Sequence, residues 1–312
     1  MKRHLSRSEK ISRLPSCSVS TGLLAASLFS AAGTLAVHAE DAVTPPPPPP
    51  SKVHALVNFE FSDHYLTPRG MDVQSHGLVF QPLVLGFFDL YHGEHFLNSV
   101  TLVGGVWNCF GTGQLPSSTT GSTQGTSWYE IDPIAGFSFG VAKHFTLDVT
   151  YTAFNMQIFN IPFSQHLETK LSFDDSSYLK AFALHPYISY WQELENKAVA
   201  STDKDPISSY YFDIGVAPSY SFEKCGLKLE LPCRVLLPNE DFYGTGAGSS
   251  STVGLYEVGI KGTVPLKFMP EGYGHWSFHA GFKYMNFEDR NLRATQHRPG
   301  STAVYAGIST FF

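Results

Sequence analysis

From Lys52 to the C-terminus, apolar and polar positions alternate with a period of two. That period places successive side chains on opposite faces and is the mark of a β-strand. Twelve strands are expected, at about Lys52–Tyr65, Gly77–Tyr91, Asn98–Phe110, Trp128–Gly140, His144–Asn155, Ser177–Leu184, Pro186–Glu195, Tyr210–Phe222, Leu227–Leu237, Gly254–Leu266, His275–Phe287 and Thr302–Phe312. Helical periodicity is hard to find. No stretch of this region approaches eighteen continuous apolar residues, so no transmembrane helix is expected.

The connections alternate in character. His92–Leu97, Val141–Lys143, His185-Pro186, Glu223–Gly226 and Lys267–Gly274 are compact. Leu66–His76, Gly111–Ser127, Met156–Ser176, Asn196–Ser209, Pro238–Val253 and Glu288–Ser301 are longer and rich in Gly, Ser, Thr and Asp. Reading Ser177–Trp191 as one strand would put the compact Glu223–Gly226 turn among the long loops. Dividing it at His185-Pro186 restores the alternation and makes the count even. The last strand carries Thr302, Val304, Ala306, Ile308, Thr310 and Phe312 on one face, without a charge, and runs to the final residue. Termini fray unless tied down, and a closed barrel ties the last strand to the first.

The two faces differ in chemistry. Tyr129, Ile131, Pro133, Ala135, Phe137 and Phe139 alternate with Glu130, Asp132, Gly136 and Ser138. Phe212, Ile214 and Val216 oppose Asp213 and Gly215; Tyr256, Val258 and Ile260 oppose Glu257 and Lys261. A lipid-embedded barrel turns the apolar face outward, and a soluble barrel turns it inward. In the first case the lumen is lined by Glu60, Asp89, Glu130, Asp132, Asp148, Asp213, Lys228, Glu230, Arg234, Glu257, Lys261 and Lys283. Pro133 and Pro218 sit mid-strand, where proline removes a ladder bond, and so mark bulges or breaks.

The first 39 residues, the terminal strand and the alternation of the connections together decide between these cases. Lys2, Arg3, Arg7, Lys10 and Arg13 precede a small and apolar run, Val19–Val37, and the site Val37-His38-Ala39 has the small-x-small form of secretory cleavage. Residues 1–39 therefore read as a signal peptide, and residues 40–51, with the proline run Pro45–Pro50, as a stiff periplasmic spacer ahead of a barrel over 52–312. Of 21 basic and 27 acidic residues, five and one lie in residues 1–39; the remainder carries a net charge of −10 with histidine neutral. Nucleic acid, which favours a basic face, is not an expected partner. Three cysteines remain. Cys225 and Cys233 lie eight residues apart on one strand region, about 26 Å if extended, too far to bridge.

The last strand, ending on Phe312, resembles the terminal strand of bacterial outer-membrane β-barrels. That resemblance implies an outer-membrane location and Phe312 as a signal for the barrel assembly machinery. The first loop contains Tyr65, Arg69 and Gly70, and the next strand Gln81; Gly104-Gly-Val-Trp107-Asn108 follows, then the aromatic strand end Asp148–Phe154 and Tyr178. These segments resemble the TorF-type putative porins, although three residues separate Tyr65 from Arg69, one more than the pattern has. The resemblance implies a channel-like role and names no solute. Arg69-Gly70 also has a simpler reading, a glycine turn with an arginine near acidic groups or lipid head groups.

Catalytic chemistry finds little footing. Ser277 and His279 share a face but lack a surrounding Gly-x-Ser-x-Gly elbow. His92-Gly-Glu-His95 offers metal-ligand types in a compact turn with a single histidine pair. The expected molecule is an all-β, transmembrane antiparallel barrel of about twelve strands with short periplasmic turns and long external loops. It is expected to work as a non-enzymatic, cofactor-free and metal-free channel for small hydrophilic solutes or ions, weakly favouring cations. A structural or adhesive barrel with a plugged lumen is the alternative, and a membrane lipid hydrolase the third.

Overall fold

A computed structural model describes residues 52–113, 127–158, 163–196, 209–243 and 251–312. The expected signal peptide (1–39), the expected spacer (40–51) and most of the Gly111–Ser127 loop lie outside the described residues.

Twelve strands close into a barrel. They are β1 (Val53–Ser62), β2 (Val79–His92), β3 (Leu97–Gly111), β4 (Trp128–Val141), β5 (Phe145–Met156), β6 (Ser164–Phe173), β7 (Tyr187–Glu195), β8 (Tyr210–Val216 and Ser219–Phe222), β9 (Leu227–Glu230 and Cys233–Pro238), β10 (Leu255–Pro265), β11 (His275–Phe287) and β12 (Gly300–Phe311). Each pairs antiparallel with its chain neighbours. Closure is made by β12 against β1, from Leu56↔Phe311 to Ser62↔Tyr305. The Phe312 amide donates to the Ala55 carbonyl at 2.9 Å, so the ladder holds the chain to its last residue. Closing the sheet removes the free edges that would otherwise recruit other chains.

The sixth strand is not where the alternation placed it. Ser177–Leu184 falls in a one-turn helix α1 (Ser176–Leu179) and a 3-10 turn (Lys180–Phe182). The strand itself is Ser164–Phe173, inside the expected Met156–Ser176 loop. The total of twelve survives because one element replaces the other. Asp175 builds the turn, accepting from the amides of Leu184 (2.9 Å) and His185 (3.0 Å). Burial pushes its carboxyl up, but those amides outweigh burial and hold it below the usual range.

This connection makes the turn end uneven. At thirteen residues, 174–186 is longer than the loop between β5 and β6 at the opposite end, so the rule of short turns has an exception. The extra length mends a break. Ala217-Pro218 interrupts β8 and Leu231-Pro232 interrupts β9. The carbonyls of Leu184 and Ala183 accept from the amides of Ala217 (2.7 Å) and Ser219 (3.3 Å), continuing the ladder past Pro218. Within β4, the pairing to β5 lapses at Asp132-Pro133, and the Asn155 amide goes to the Asp132 carboxylate at 3.3 Å.

The outer face is apolar. Phe59, Val84, Phe137, Ile188, Ile214, Leu231, Val258, Ile260, Phe278 and Val304 are all exposed on it. Phe61, Phe80, Phe110 and Trp128 stack side by side across β1–β4 at the long-loop end, with centroids 4.8, 6.1 and 6.3 Å apart. At the turn end Phe145, Phe173 and Tyr178 stack in the same way. Aromatic girdles at both rims of an apolar band are the signature of a bilayer-facing barrel. On β4, Trp128 and Phe139 lie eleven residues apart. At about 3.3 Å per residue and a tilt near 40°, they are about 28 Å apart in height, which fits an apolar band of about 25 Å.

Tyr129 departs from the expected outer face. The β3–β4 register shifts between Cys109↔Glu130 and Phe110↔Trp128, so Tyr129 is the extra residue of a bulge. It is buried against Cys109 and Ile158. The inner face is not wholly polar either. Leu56, Leu83, Leu85, Phe87, Val103 and Ile134 form an apolar patch inside β1–β4. All three described cysteines are free.

Candidate functional site

The first long connection, residues 63–78, does not stay outside. Tyr65–Leu66 pairs with Asp72–Gln74 in a small ladder of its own. Between them the chain turns tightly, with the Thr67 amide on the Met71 carbonyl (2.8 Å) and the Gly70 amide on the Thr67 carbonyl (3.0 Å). Gly70 has φ +84°, and a Cβ there would lie 2.9 Å from Leu292 and 3.0 Å from Leu255. Only glycine fits. The turn reading of Gly70 therefore holds, and of the two surroundings expected for Arg69 the lipid head groups are corrected: both residues are buried inside the barrel mouth, on a wall that carries acidic groups.

Five contacts seat the tip of this loop, residues 65–69. The Tyr65 hydroxyl donates to the Glu130 carboxylate. Lys283 Nζ reaches the Leu66 carbonyl (3.2 Å), Arg234 Nη2 the Pro68 carbonyl (2.5 Å), and the Tyr243 hydroxyl the Arg69 carbonyl (2.7 Å). The Arg69 guanidinium lies over Phe154 at 4.4 Å and Trp191 at 5.0 Å. Leu66 joins an apolar cluster with Trp191, Tyr211, Leu236, Phe242, Tyr243, Leu255 and Phe287. Leu292, on the helix α2 (Arg290–Gln296) of the last loop, packs into the same cluster. The long-loop end is thus a small core, with the first loop at its centre.

Beneath the loop lies a cavity of about 150 Å³, room for about ten waters. Of the residues expected inside the barrel, Glu60, Glu130, Asp132, Asp213, Glu257 and Lys283 line it. The others sit on the inner face beyond it. Arg234 is buried between Asp213 (Nη1, 2.7 Å) and Glu257 (Nη2, 2.8 Å). Lys228 pairs with Glu230 at 2.9 Å, and Lys261 is the cross-strand partner of Glu230. Asp148 accepts from the Ser138 hydroxyl at 2.6 Å. Asp89 accepts from Thr101 at 2.8 Å and lies near His54 (3.5 Å) and His92 (3.3 Å). Glu60 faces His279 at 3.3 Å. Much of the inner face is a chain of paired charges, which satisfies groups that could not be buried alone.

Several lining residues escaped the sequence. Glu168 and Lys170 come from β6, where His166, Glu168 and Lys170 alternate with Leu167, Thr169 and Leu171. The period-two signal was present but thin, because Gln165 and Thr169 share the outer face with the leucines. Thr150, Thr152, Phe154, Tyr187, Trp191 and Tyr211 belong to the wall as well, as does Trp107. Just outside it, His166 Nδ1 lies 2.9 Å from the Glu193 carboxylate and Nε2 lies 2.9 Å from Ser164 Oγ. Both His166 and Glu193 are fully enclosed and hold β6 to β7.

The residue types weighed for catalysis and metal binding have other partners. Ser277 Oγ shares a hydrogen bond with Ser309 Oγ at 2.8 Å, and His279 turns to Glu60. Asp174, Asp175 and His185 gather within 4.8 Å of one another at the turn end. Their carboxylates already accept from Ser176, Leu184 and His185.

No protein-family model matches the chain, and no curated protein sequence does. Solved structures similar to it include an outer membrane channel from Pseudomonas putida F1, at 10% identity over 87% of this chain and 100% of that one, with a TM-score of 0.46. The β domain of the Bordetella autotransporter BrkA is similar at 10% identity over 83% and 99%, with a TM-score of 0.43. The outer membrane phospholipase A of Escherichia coli is similar at 13% identity over 81% and 92%, with a TM-score of 0.41. The closed ladder of β1–β12 establishes the barrel independently of these likenesses.

Proposed function

We propose that the chain is a bacterial outer-membrane channel through which small hydrophilic solutes or ions diffuse, narrowed by its own first loop. One observation carries this reading: an apolar, aromatic-rimmed outer face encloses a charged inner face with a cavity at its middle. In water the outer face would be a large exposed apolar surface, which soluble monomers avoid. In a bilayer it is the required surface. Export through cleavage after Ala39, assembly through the Phe312 strand and kinship with TorF-type porins belong to the same reading. The chain acts as a conduit and not as an enzyme.

Acidic groups outnumber basic ones around the cavity. Glu60, Glu130, Asp132, Glu168, Asp213 and Glu257 line it, against Arg69, Lys170 and Lys283. A narrow polar path concentrates ions of opposite sign, so cations are favoured modestly. Planar-bilayer recording of the purified protein should give stepwise conductance, with a reversal potential across a KCl gradient of the cation-preferring sign. Salt weakens the preference as the screening length falls to about 3 Å at 1 M. The Glu130→Gln, Asp132→Asn double variant should move the reversal potential toward zero. Absence of any conductance, or anion preference in the unmodified protein, defeats this reading.

The seating of the loop favours a second reading, a plugged structural or adhesive barrel. Five anchors and an apolar cluster are what a permanent plug would need. Replacing residues 64–74 by a short Gly-Ser linker separates the two. A constriction yields several-fold higher conductance on excision over a measurable starting value. A permanent plug gives a silent wild type and a conducting variant.

A further inference from the structure

The cavity holds one cationic group and one pair of anionic groups that do not partner each other by direct contact. The Arg69 guanidinium stacks on Phe154 and Trp191, yet donates to no acceptor among the described residues, and its Nε is buried without a partner. Glu130 and Asp132 lie on the same inner face of β4, both buried, and neither has a lysine or arginine nitrogen within 4.0 Å among the described residues. Asp213 Oδ1, on the same wall, is buried without a hydrogen bond.

The placing of these groups is compact. Ile131 pairs with Asn155 and Ile134 with Thr152, so Asp132 stands on the rung of Phe154, the ring under the guanidinium. On its other side Asp132 pairs with Trp107, whose ring lies 5.8 Å from that of Tyr65. An apolar floor therefore runs between an unfilled donor, Arg69 Nε, and a carboxyl pair that no lysine or arginine touches. Both charges are fixed from behind. Stacking holds the guanidinium plane, and the Tyr65 hydroxyl and Asn155 amide hold the two carboxylates.

A buried donor left without an acceptor, and a buried carboxyl pair with no lysine or arginine in contact, cost free energy that a matching ligand recovers. A simple cation would serve the carboxylates and leave Arg69 as it is; an anion would do the reverse. We propose that the cavity is a binding site for a small zwitterion of the amino-acid class. Its carboxylate is taken by the Arg69 fork, as guanidinium–carboxylate geometry allows, and its ammonium by Asp132 and Glu130 beside the Trp107 face. The proposal deepens the channel reading by naming a solute class, but binding needs no conduction.

The test uses the full-length mature protein in detergent, with titration calorimetry against glycine, β-alanine and γ-aminobutyrate. These probes space the two charges differently; n-butylammonium and butyrate serve as single-charge controls. At least one zwitterion should bind tenfold or more tighter than both controls. Arg69→Met should weaken the zwitterion at least tenfold and leave n-butylammonium unchanged. Asp132→Asn should weaken both ammonium probes and leave butyrate unchanged. Both variants should keep the heat-modifiable gel mobility of a folded barrel, and Arg69→Lys, which keeps the charge without the fork, covers a folding failure of Arg69→Met. Equal binding of a single-charge control, no zwitterion binding at all, or an Arg69 effect on n-butylammonium overturns the proposal. Binding without bilayer conductance would instead sink the channel reading and leave this one standing.

Discussion

Arg234→Leu is expected to destabilise the folded barrel by about 3–5 kcal/mol, the cost of removing one partner from a buried ion network. From β9, Arg234 touches two other strands and a loop at once. Its Nη1 lies 2.7 Å from Asp213 on β8, its Nη2 2.8 Å from Glu257 on β10, and the same Nη2 donates to the Pro68 carbonyl. Leucine fills part of the volume but strands two carboxylates and a carbonyl away from water. The loss is less about the attraction forgone than about what remains unpaired. Neutralising the partners as well separates the two causes. The triple variant Asp213→Asn, Arg234→Leu, Glu257→Gln should recover most of the stability, because amides tolerate burial better than lone carboxylates. Urea-driven unfolding in lipid vesicles, followed by tryptophan fluorescence, measures both. A single-variant cost under about 1 kcal/mol, or a triple variant as weak as the single, would mean that water reaches this network and that the interior is wetter than the burial implies. The single variant should also loosen the loop tip, visible as faster proteolysis between Tyr65 and Gln74.

The strands were legible because lipid on one side and charge on the other impose a strict period of two. β4, β8, β10 and β11 carry that contrast at nearly every position, and their inner residues follow from parity alone. β6 was missed because its contrast is weak: Gln165 and Thr169 dilute the outer face, and the loop-like polarity of Ser164–Lys170 outweighed Leu167, Leu171 and Phe173. Ser177–Leu184 imitated a strand because Tyr178, Leu179 and Phe182 are apolar, yet all three are exposed on the α1 connection at the turn end. Tyr129 was misplaced by a bulge, which moves every residue on one side of it by one step and leaves no mark in composition. The fate of the first loop was the least legible feature. Tyr65, Leu66, Thr67, Pro68, Arg69 and Gly70 look like an ordinary turn, and what draws them inward is Glu130, Arg234, Tyr243 and Lys283, on four other segments. A contact of that kind is tertiary, and no local pattern encodes it.

Ile260→Arg is expected to cost about 2–4 kcal/mol in a bilayer, and the same change at Tyr256 or Val264 about 0–1 kcal/mol. Ile260 sits midway along β10 (Leu255–Pro265), opposite Phe282 of β11, on the outer face. It is 45% exposed, Tyr256 is 46% exposed, and Val258 between them is 49%. By exposure alone these three positions are equivalent, while Val264 is half-buried. In water, arginine at any of them would change stability by less than about 0.5 kcal/mol, as surface substitutions do. A bilayer breaks the equivalence, because the desolvation cost of a guanidinium rises toward the midplane and falls where the chain can snorkel to head groups. Depth dependence at constant exposure, as from Tyr256 to Ile260, is therefore the property that only a lipid surround produces. Folding each variant into vesicles and into detergent micelles, with urea titration in both, gives the comparison. The gradient from Tyr256 through Ile260 to Val264 should peak at Ile260 in vesicles and flatten in micelles. A flat profile in vesicles would place the outer face in water and overturn the membrane reading together with the channel built on it.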